Sequence, residues 1–282
     1  MDNFGVTAHN ISLALSAVKS ERIKQSSLIS ELAYEMCERF NSTDMSEFLA
    51  ECGEVFRALV GDECGYMLPE KILYRLSQKL GRSITISDII GASPQGECFA
   101  YQHNRYTDSA YEIMSKYFFD STLVYTDDTD GVIDAVKSGR ATYGIVPTAD
   151  SSLGNIDSVL SRLAESAQVI LLTVNMEQSD GKVLELSLVS GGINEKLYEK
   201  YDKLYLTMSF FPHDGVNVSD TLSCLEYFGL GICNIRFPDA DGRTVVTVHG
   251  NYTKILLAIV YMSMFSPDFT IYGVRAYIDG GM

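Results

Sequence analysis

Basic residues are scarce in this chain of 282 residues. It carries 22 lysines and arginines against 37 acidic residues, so its formal net charge at pH 7 is −15. A surface of that sign repels nucleic-acid phosphates and anionic lipids, and we therefore expect no nucleic-acid partner and no membrane partner. An anionic small molecule could bind only where the fold gathers cations locally.

No two of the six cysteines form a CxxC pair, and the four histidines, His9, His103, His213 and His249, do not cluster. We therefore expect free, buried thiols in a reducing compartment rather than disulfides. Metal-ligand spacing is also missing, so the sequence predicts no metal and no cofactor.

An apolar run of membrane-spanning length is missing too. The longest, from Ile255 to Phe265, is too short to cross a bilayer and is typical of a core helix. The N-terminus lacks the basic and apolar regions of a secretion signal. The expected location is the cytoplasm.

The hydrophobic pattern changes twice along the chain. Residues 1–82 show helical spacing, residues 83–192 alternate strands with helices, and residues 200–279 follow the order βαββαβ. The middle segment predicts a mainly parallel sheet covered on both faces, with a first strand at Ile84 to Ile90. The last segment predicts a ferredoxin-like sandwich with two helices on one face of four antiparallel strands. The expected fold is multi-domain α/β.

Small polar residues follow the apolar run that begins at Tyr143, in the stretch ATYGIVPTADSSLGNIDSVLSRL. This pattern predicts a strand, a loop and a helix. Free N–H groups at the positive end of a helix favour a carboxylate or phosphate, and hydroxyls add donors. Helix capping explains Asp150 and Ser151 equally well. The ligand-binding candidates in this loop are Thr148, Asp150, Ser151, Ser152 and Gly154.

The same stretch resembles the signature of prephenate dehydratases. The matching positions are Tyr143, Gly144, Val146, Pro147, Ser151 and Gly154. The stretch SPQGECFA resembles the first glycine loop of that family, and this likeness adds Pro94 and Gly96 to the ligand-binding candidates. The resemblance implies that residues 83–192 form one half of a periplasmic-binding-like pair of lobes.

The outer segments extend the resemblance to chorismate mutase/prephenate dehydratase proteins of phenylalanine biosynthesis. The stretch SEFLAECGEVFRALVGDE is similar to part of the helical mutase domain, and the βαββαβ unit is similar to the regulatory ACT domain. The ACT likeness implies an effector site at Gly215, Val216, Asn217, Arg236 and Pro238. The bulk of Arg236 and of its neighbour Phe237 departs from the family pattern, so we expect weak or no phenylalanine binding.

Residues that the resemblance implies for catalysis are missing. Ala149-Asp150 stands where the family has Glu-Asn, and the strand GKVLELSLVSGG lacks the family's Thr-Arg pair. One α/β lobe needs on the order of 80–100 residues, so residues 83–192 suffice for one lobe of the expected two. We assign no catalytic residue and expect a catalytically degenerate relative that binds a small carboxylate ligand or a partner protein.

Two alternatives stay open. The chain is an active prephenate dehydratase with differently placed residues, or an active chorismate mutase only. The second alternative needs four cations to converge in one helical pocket, although their spacing is also that of a solvated face: Lys19, Arg22, Lys24 and Arg39.

The strand LYLTMSFF is apolar on both alternations. Its second side consists of Tyr205, Thr207, Ser209 and Phe211, which carry no charge. Uncharged aromatic surface is typical of interface cores, and we therefore expect a homodimer through the ACT-like domain. The alternative is that the central lobe of the same chain covers this side.

Overall fold

A computed structural model of the protein describes residues 2–41, 44–60, 65–151, 154–212, 217–236, 242–266 and 268–278. Its helices are α1 (Asp2–Glu38), α2 (Met45–Val60), α3 (Leu68–Leu80), α4 (Ile86–Ile90), α5 (Arg105–Met114), α6 (Thr129–Lys137), α7 (Asp157–Glu165), α8 (Val218–Tyr227) and α9 (Tyr252–Phe265). Its strands are β1 (Cys98–Gln102), β2 (Thr122–Thr126), β3 (Tyr143–Asp150), β4 (Gly154–Asn155), β5 (Val169–Glu177), β6 (Val183–Ser190), β7 (Leu204–Phe210), β8 (Gly231–Arg236), β9 (Thr244–Gly250) and β10 (Thr270–Ile278).

The N-terminal helices pack against α9. Asp44 caps α2, because its Oδ1 accepts hydrogen bonds from the amides of Ser46 and Glu47 at 2.9 and 3.1 Å. The rings of Phe56 on α2 and Phe265 on α9 meet edge to face, with centroids 5.8 Å apart. The helical segment and the C-terminal segment therefore share one hydrophobic core.

One sheet runs through the whole α/β part of the protein, which confirms the α/β class. Its strand order is β2-β1-β3-β6-β5-β10-β7-β9-β8, with β4 paired to β3. The expectation of a mainly parallel sheet is wrong, because β6 lies between β3 and β5 and is antiparallel to both. The short connection between β5 and β6 explains this, since a short link joins antiparallel neighbours whereas parallel strands need a long crossover.

The stretch from Ile84 to Ile90 is not a strand. It contains the short helix α4, which begins at Thr85 with a capping box: the Asp88 carboxylate accepts from the Thr85 amide at 2.8 Å. Arg82 fixes the same carboxylate with two hydrogen bonds of 2.7 Å. The capping residues outweigh the β-branched composition of this stretch, and the first strand is β1 instead.

The last four strands follow the ferredoxin-like order. The strands β10, β7, β9 and β8 are neighbours in that sequence, and all three pairs are antiparallel. Helices α8 and α9 pack on the side of β7 that carries Leu204, Leu206 and Met208. Helices α6 and α7 pack on the opposite face, over β1, β3, β5 and β6. Because β10 also pairs in parallel with β5, the two halves form one continuous sheet.

Candidate functional site

The hydroxyl of Thr148 lies inside the sheet rather than in a loop. Strand β3 continues through Pro147 to Asp150, and a register shift between Pro147 and Ala149 accommodates the missing N–H of proline. Thr148 Oγ1 lies 2.6 Å from Ser187 Oγ on β6, which in turn lies 2.8 Å from Thr173 Oγ1 on β5. All three side chains are buried. We call these three residues the hydroxyl chain; it links three strands.

After β3, the polar groups of Ser151 bond to the backbone of the neighbouring strand β6. The amide of Ser151 donates to the carbonyl of Val183 at 2.8 Å, and its hydroxyl accepts from the amide of Val183 at 2.9 Å. Asp150, the last residue of β3, lies opposite Gly154 of β4. Ser152 lies outside the described residues. The predicted strand and helix are thus β3 and α7, a turn begins at Ser151, and ligand binding in this loop stays a prediction.

The other two ligand-binding candidates, Pro94 and Gly96, lie at the opposite end of the sheet. They precede β1, whereas Thr148 lies beyond the end of β1 on the parallel strand β3. A five-residue strand rises about 16 Å, so the two groups cannot share one small ligand. Gly96 has φ +131°, and a Cβ there would lie 2.7 Å from Thr142 Oγ1. Its role is therefore conformational, and ligand binding by either group of candidates stays a prediction.

The carboxyl end of β1 carries polar residues that the sequence pattern did not single out. Helices α5 and α6 pack on opposite faces of the sheet, which makes the carboxyl ends of β1 and β3 a topological switch point, the usual ligand position in such sheets. Here Asn104 caps α5 by accepting from the amides of Tyr106 and Thr107 at 3.0 and 3.1 Å. His103 Nδ1 lies 2.9 Å from Asp108 Oδ1. The signal in the sequence was the cap residue Asn104, which stands inside a stretch with helical spacing.

Two of the five predicted effector residues can be described. Asn217 caps α8, because its Oδ1 accepts from the amide of Asp220 at 2.7 Å. Arg236, the last residue of β8, pairs through Nη1 with Asp157 Oδ1 at the start of α7. The remaining three, Gly215, Val216 and Pro238, lie outside the described residues. The two described residues make internal contacts, and an effector site on them stays a prediction.

The second side of β7 is surrounded by cations. Arg243 lies 4.2 Å from the ring centroid of Phe211 and donates to Ser209 Oγ at 3.2 Å. Lys203 Nζ lies 5.1 Å from the ring centroid of Tyr205, and Arg275 of β10 stands directly opposite Tyr205. We call the side of β7, β8, β9 and β10 that faces away from α8 and α9 the outer face. The side chains of β7 on the outer face are uncharged, but Arg243, Lys203 and Arg275 lie around them. A homodimer that paired two outer faces would therefore bring these positive charges close together.

The cysteines differ in their environment. Burial raises the pKa of the Cys37 thiol to about 11 and that of Cys52 to about 12. Cys98 and Cys224 are half-buried, and Cys233 on β8 is exposed. All five are free thiols; Cys64 lies outside the described residues. The expectation of buried thiols thus holds for Cys37 and Cys52 and is wrong for Cys233, whose strand lies at the edge of the sheet.

Within the described ranges, no group of three or more histidine, cysteine, aspartate or glutamate side chains could hold a metal ion. In the same part of the chain, every helix is too short or too polar to cross a membrane.

Comparison with known proteins shows the fold but not the family. No protein-family model matches the sequence, and no curated protein does. The X-ray structure of prephenate dehydratase from Streptococcus mutans is similar with a TM-score of 0.51 and 14% identity, over 64% of this chain and 99% of that chain.

Two further prephenate dehydratase structures are similar at a lower level. The enzyme from Arthrobacter aurescens, solved in complex with L-Phe, has a TM-score of 0.49 and 12% identity, over 64% of this chain and 89% of that chain. The enzyme from Staphylococcus aureus subsp. aureus Mu50 has a TM-score of 0.44 and 12% identity, over 63% of this chain and 99% of that chain. The conclusion rests on the Streptococcus structure: the chain has a prephenate dehydratase-like α/β fold.

Proposed function

We propose that this chain is a prephenate dehydratase-like protein that binds a small carboxylate ligand and does not dehydrate prephenate. The observation that carries the proposal is that the hydroxyls at the end of β3 are hydrogen-bonded to protein atoms. The hydroxyl of Thr148 is hydrogen-bonded to Ser187 inside the sheet, and that of Ser151 accepts from the backbone of Val183.

The chemistry explains why these bonds matter. Dehydration of prephenate releases CO2, whose bonding electrons move into the ring and expel hydroxide, so the reaction requires a proton donor at the leaving hydroxyl and cations that hold the dianionic substrate. The hydroxyl of Ser151, which matches the signature, and that of Thr148 face protein atoms instead. Strand β6 has no adjacent threonine and arginine, the pair that the resemblance implies there.

The mutase alternative lacks support within one chain. Its four cations, Lys19, Arg22, Lys24 and Arg39, are all exposed and all belong to the helical segment around α1. At 1.5 Å per residue, the first and the last of them stand about 30 Å apart along the helix axis, too far to hold one small dicarboxylate.

The three-part organisation belongs to the same proposal. We infer a mutase-like helical part over residues 1–82, a dehydratase-like part over 83–192 and an ACT-like part over 200–279. The ferredoxin-like order of β7 to β10 supports the third part. A homodimer stays a prediction, and light scattering on the full chain in low and high salt tests it.

A coupled assay for phenylpyruvate release from prephenate, with chorismate as a parallel substrate, tests the proposed function. We expect no product above the rate without protein for either substrate. Steady turnover of prephenate that Ser151→Ala abolishes and the exposed control Ser138→Ala preserves would contradict the proposal.

A further inference from the structure

Arg275 on β10 is a buried cation with few hydrogen bonds. The residue is 8% exposed, and its Nε is buried without a hydrogen-bond partner in the described part of the chain. Its nearest carboxylate oxygen, Glu185 Oε2, lies 3.6 Å from Nη1, which is beyond hydrogen-bond distance. A buried guanidinium is unfavourable unless its donors are used. The side chain therefore has donors left for another acceptor.

Glu185 does not fill that role. Its carboxylate accepts two long hydrogen bonds from the Tyr277 hydroxyl, at 3.3 and 3.4 Å. Arg275 also lies 5.2 Å from the ring centroid of Tyr277. Burial raises the pKa of Tyr277 to about 12, so this phenol stays neutral and can donate at neutral pH.

Aromatic side chains from three strands form a row that begins beside Arg275. Arg275 stands opposite Tyr205 on β7, which stands opposite His249 on β9. The ring centroids of Tyr205 and Tyr277 lie 4.9 Å apart, and those of Tyr205 and His249 lie 5.8 Å apart. These residues belong to the outer face. The guanidinium of Arg275 therefore lies beside the aromatic rings of Tyr205 and Tyr277.

Lys203 is a second cation beside the ring of Tyr205. Lys203 Nζ lies over the ring of Tyr205, and its side chain is exposed. Burial raises the pKa of the Cys233 thiol, while Lys203 and Arg275 both act to lower it, so both cations lie near that sulfur. The pKa of His249 is lowered by burial, by Lys203 and by Lys254, which leaves the imidazole neutral at pH 7. Glu185, whose Oε2 lies 3.6 Å from Arg275 Nη1, adds one negative charge to these two cations.

We propose that Arg275 and Lys203 form a binding site for a small carboxylate with a flat ring, which lies against Tyr205 and Tyr277. The inference rests on the proposed ligand-binding function and names its site and its ligand class. An arginine matches a planar carboxylate with two parallel hydrogen bonds, and the ammonium adds charge from the solvent side. The local positive charge attracts such a ligand to a protein whose net charge is −15.

Calorimetric titration of the full chain with benzoate, acetate and inorganic phosphate tests the site. We expect saturable binding of benzoate and weaker binding of acetate and phosphate, because only benzoate contacts the rings. Benzoate affinity should fall with rising salt. Loss of a charge-assisted hydrogen bond weakens binding by about tenfold or more, which is the decrease that we expect for Arg275→Met.

Lys203→Gln keeps the test decisive if Arg275→Met fails to fold, because Lys203 is exposed. We expect it to weaken benzoate binding by about threefold and the matched control Lys200→Gln to have no effect. Saturable binding that Lys203→Gln leaves unchanged would overturn this site and leave the proposed ligand-binding function standing. Absence of saturable binding for all three probes would overturn the site as well. Prephenate turnover would instead contradict the non-catalytic proposal, without bearing on where benzoate binds.

Discussion

The end of β3 and the outer face both contain buried polar side chains, but they differ in whether those side chains have hydrogen-bond partners. In the hydroxyl chain, every side-chain oxygen has a partner within 2.8 Å. Around Arg275, a buried nitrogen has no partner in the described ranges, and the nearest carboxylate lies 3.6 Å away. The first region resembles a known signature and the second does not. We therefore infer that the hydroxyl chain, whose groups are all hydrogen-bonded, stabilises the fold. Arg275, whose Nε has no partner in the described ranges, is the candidate for ligand binding.

Ser187 is the middle residue of the hydroxyl chain, and its substitution should have the largest effect on stability. Ser187→Ala leaves the Thr148 and Thr173 hydroxyls buried without their shared partner. Each unsatisfied hydroxyl destabilises by about 1–3 kcal/mol, so we expect the free energy of unfolding to fall by several kcal/mol. Urea unfolding measures this, with Ser138→Ala as the exposed control. A change below about 0.5 kcal/mol, the range of neutral surface substitutions, would contradict the structural role.

The matching substitution on the outer face should behave differently. We expect the pair Arg275→Met and Glu185→Met to leave the free energy of unfolding within about 1 kcal/mol of the parent, or to raise it, because replacement of a buried ion pair by apolar side chains of similar size is often neutral or stabilising. The same urea experiment checks this. A loss as large as that of Ser187→Ala would mean that the cation is structural.

The rate of thiol alkylation should differ between the buried cysteines and the exposed one. Cys233 is exposed, whereas burial holds the thiols of Cys37 and Cys52 at pKa values of about 11 and about 12. The thiolate is the reactive form, so labelling of Cys37 and Cys52 should require unfolding or strongly alkaline pH. Alkylation at pH 8 followed by peptide mass spectrometry should find Cys233 modified first. Early labelling of Cys52 would contradict its placement.

The smallest expected effect concerns the start of α4. Hydrogen bonds from Arg82 hold the pKa of Asp88 below its usual range. A lowered pKa in the folded state contributes stability above the unfolded pKa of about 3.9, and this contribution is lost as pH falls through the folded value. Asp88→Asn should therefore destabilise by about 1 kcal/mol at pH 7, and the difference should vanish at acidic pH. Thermal unfolding at both pH values measures it; equal differences at both would argue against the ionised carboxylate.

Long periodic elements could be predicted from the sequence, and polar pairing across strands could not. The helix near Asp127 to Ser138 and the order βαββαβ are predicted correctly because their spacing is local. The stretch from Ile84 to Ile90 is predicted wrongly because its composition favours a strand. Thr85 and Asp88 form a capping box there, which stabilises the start of a helix instead. The contact between Thr148 and Ser187 spans 39 positions in the chain, which no local pattern records.

The position of β10 has a consequence for how the chain folds. This strand comes last among the described ones, yet it lies between β5 and β7 and pairs with both. Contacts between distant parts of a chain form slowly, because the loop must close before the contacts stabilise it. During synthesis, the edges of β5 and β7 that pair with β10 therefore stay unpaired until β10 leaves the ribosome. Unpaired strand edges are sites of aggregation. Removal of this strand should leave two half-sheets that associate wrongly rather than two smaller folded units.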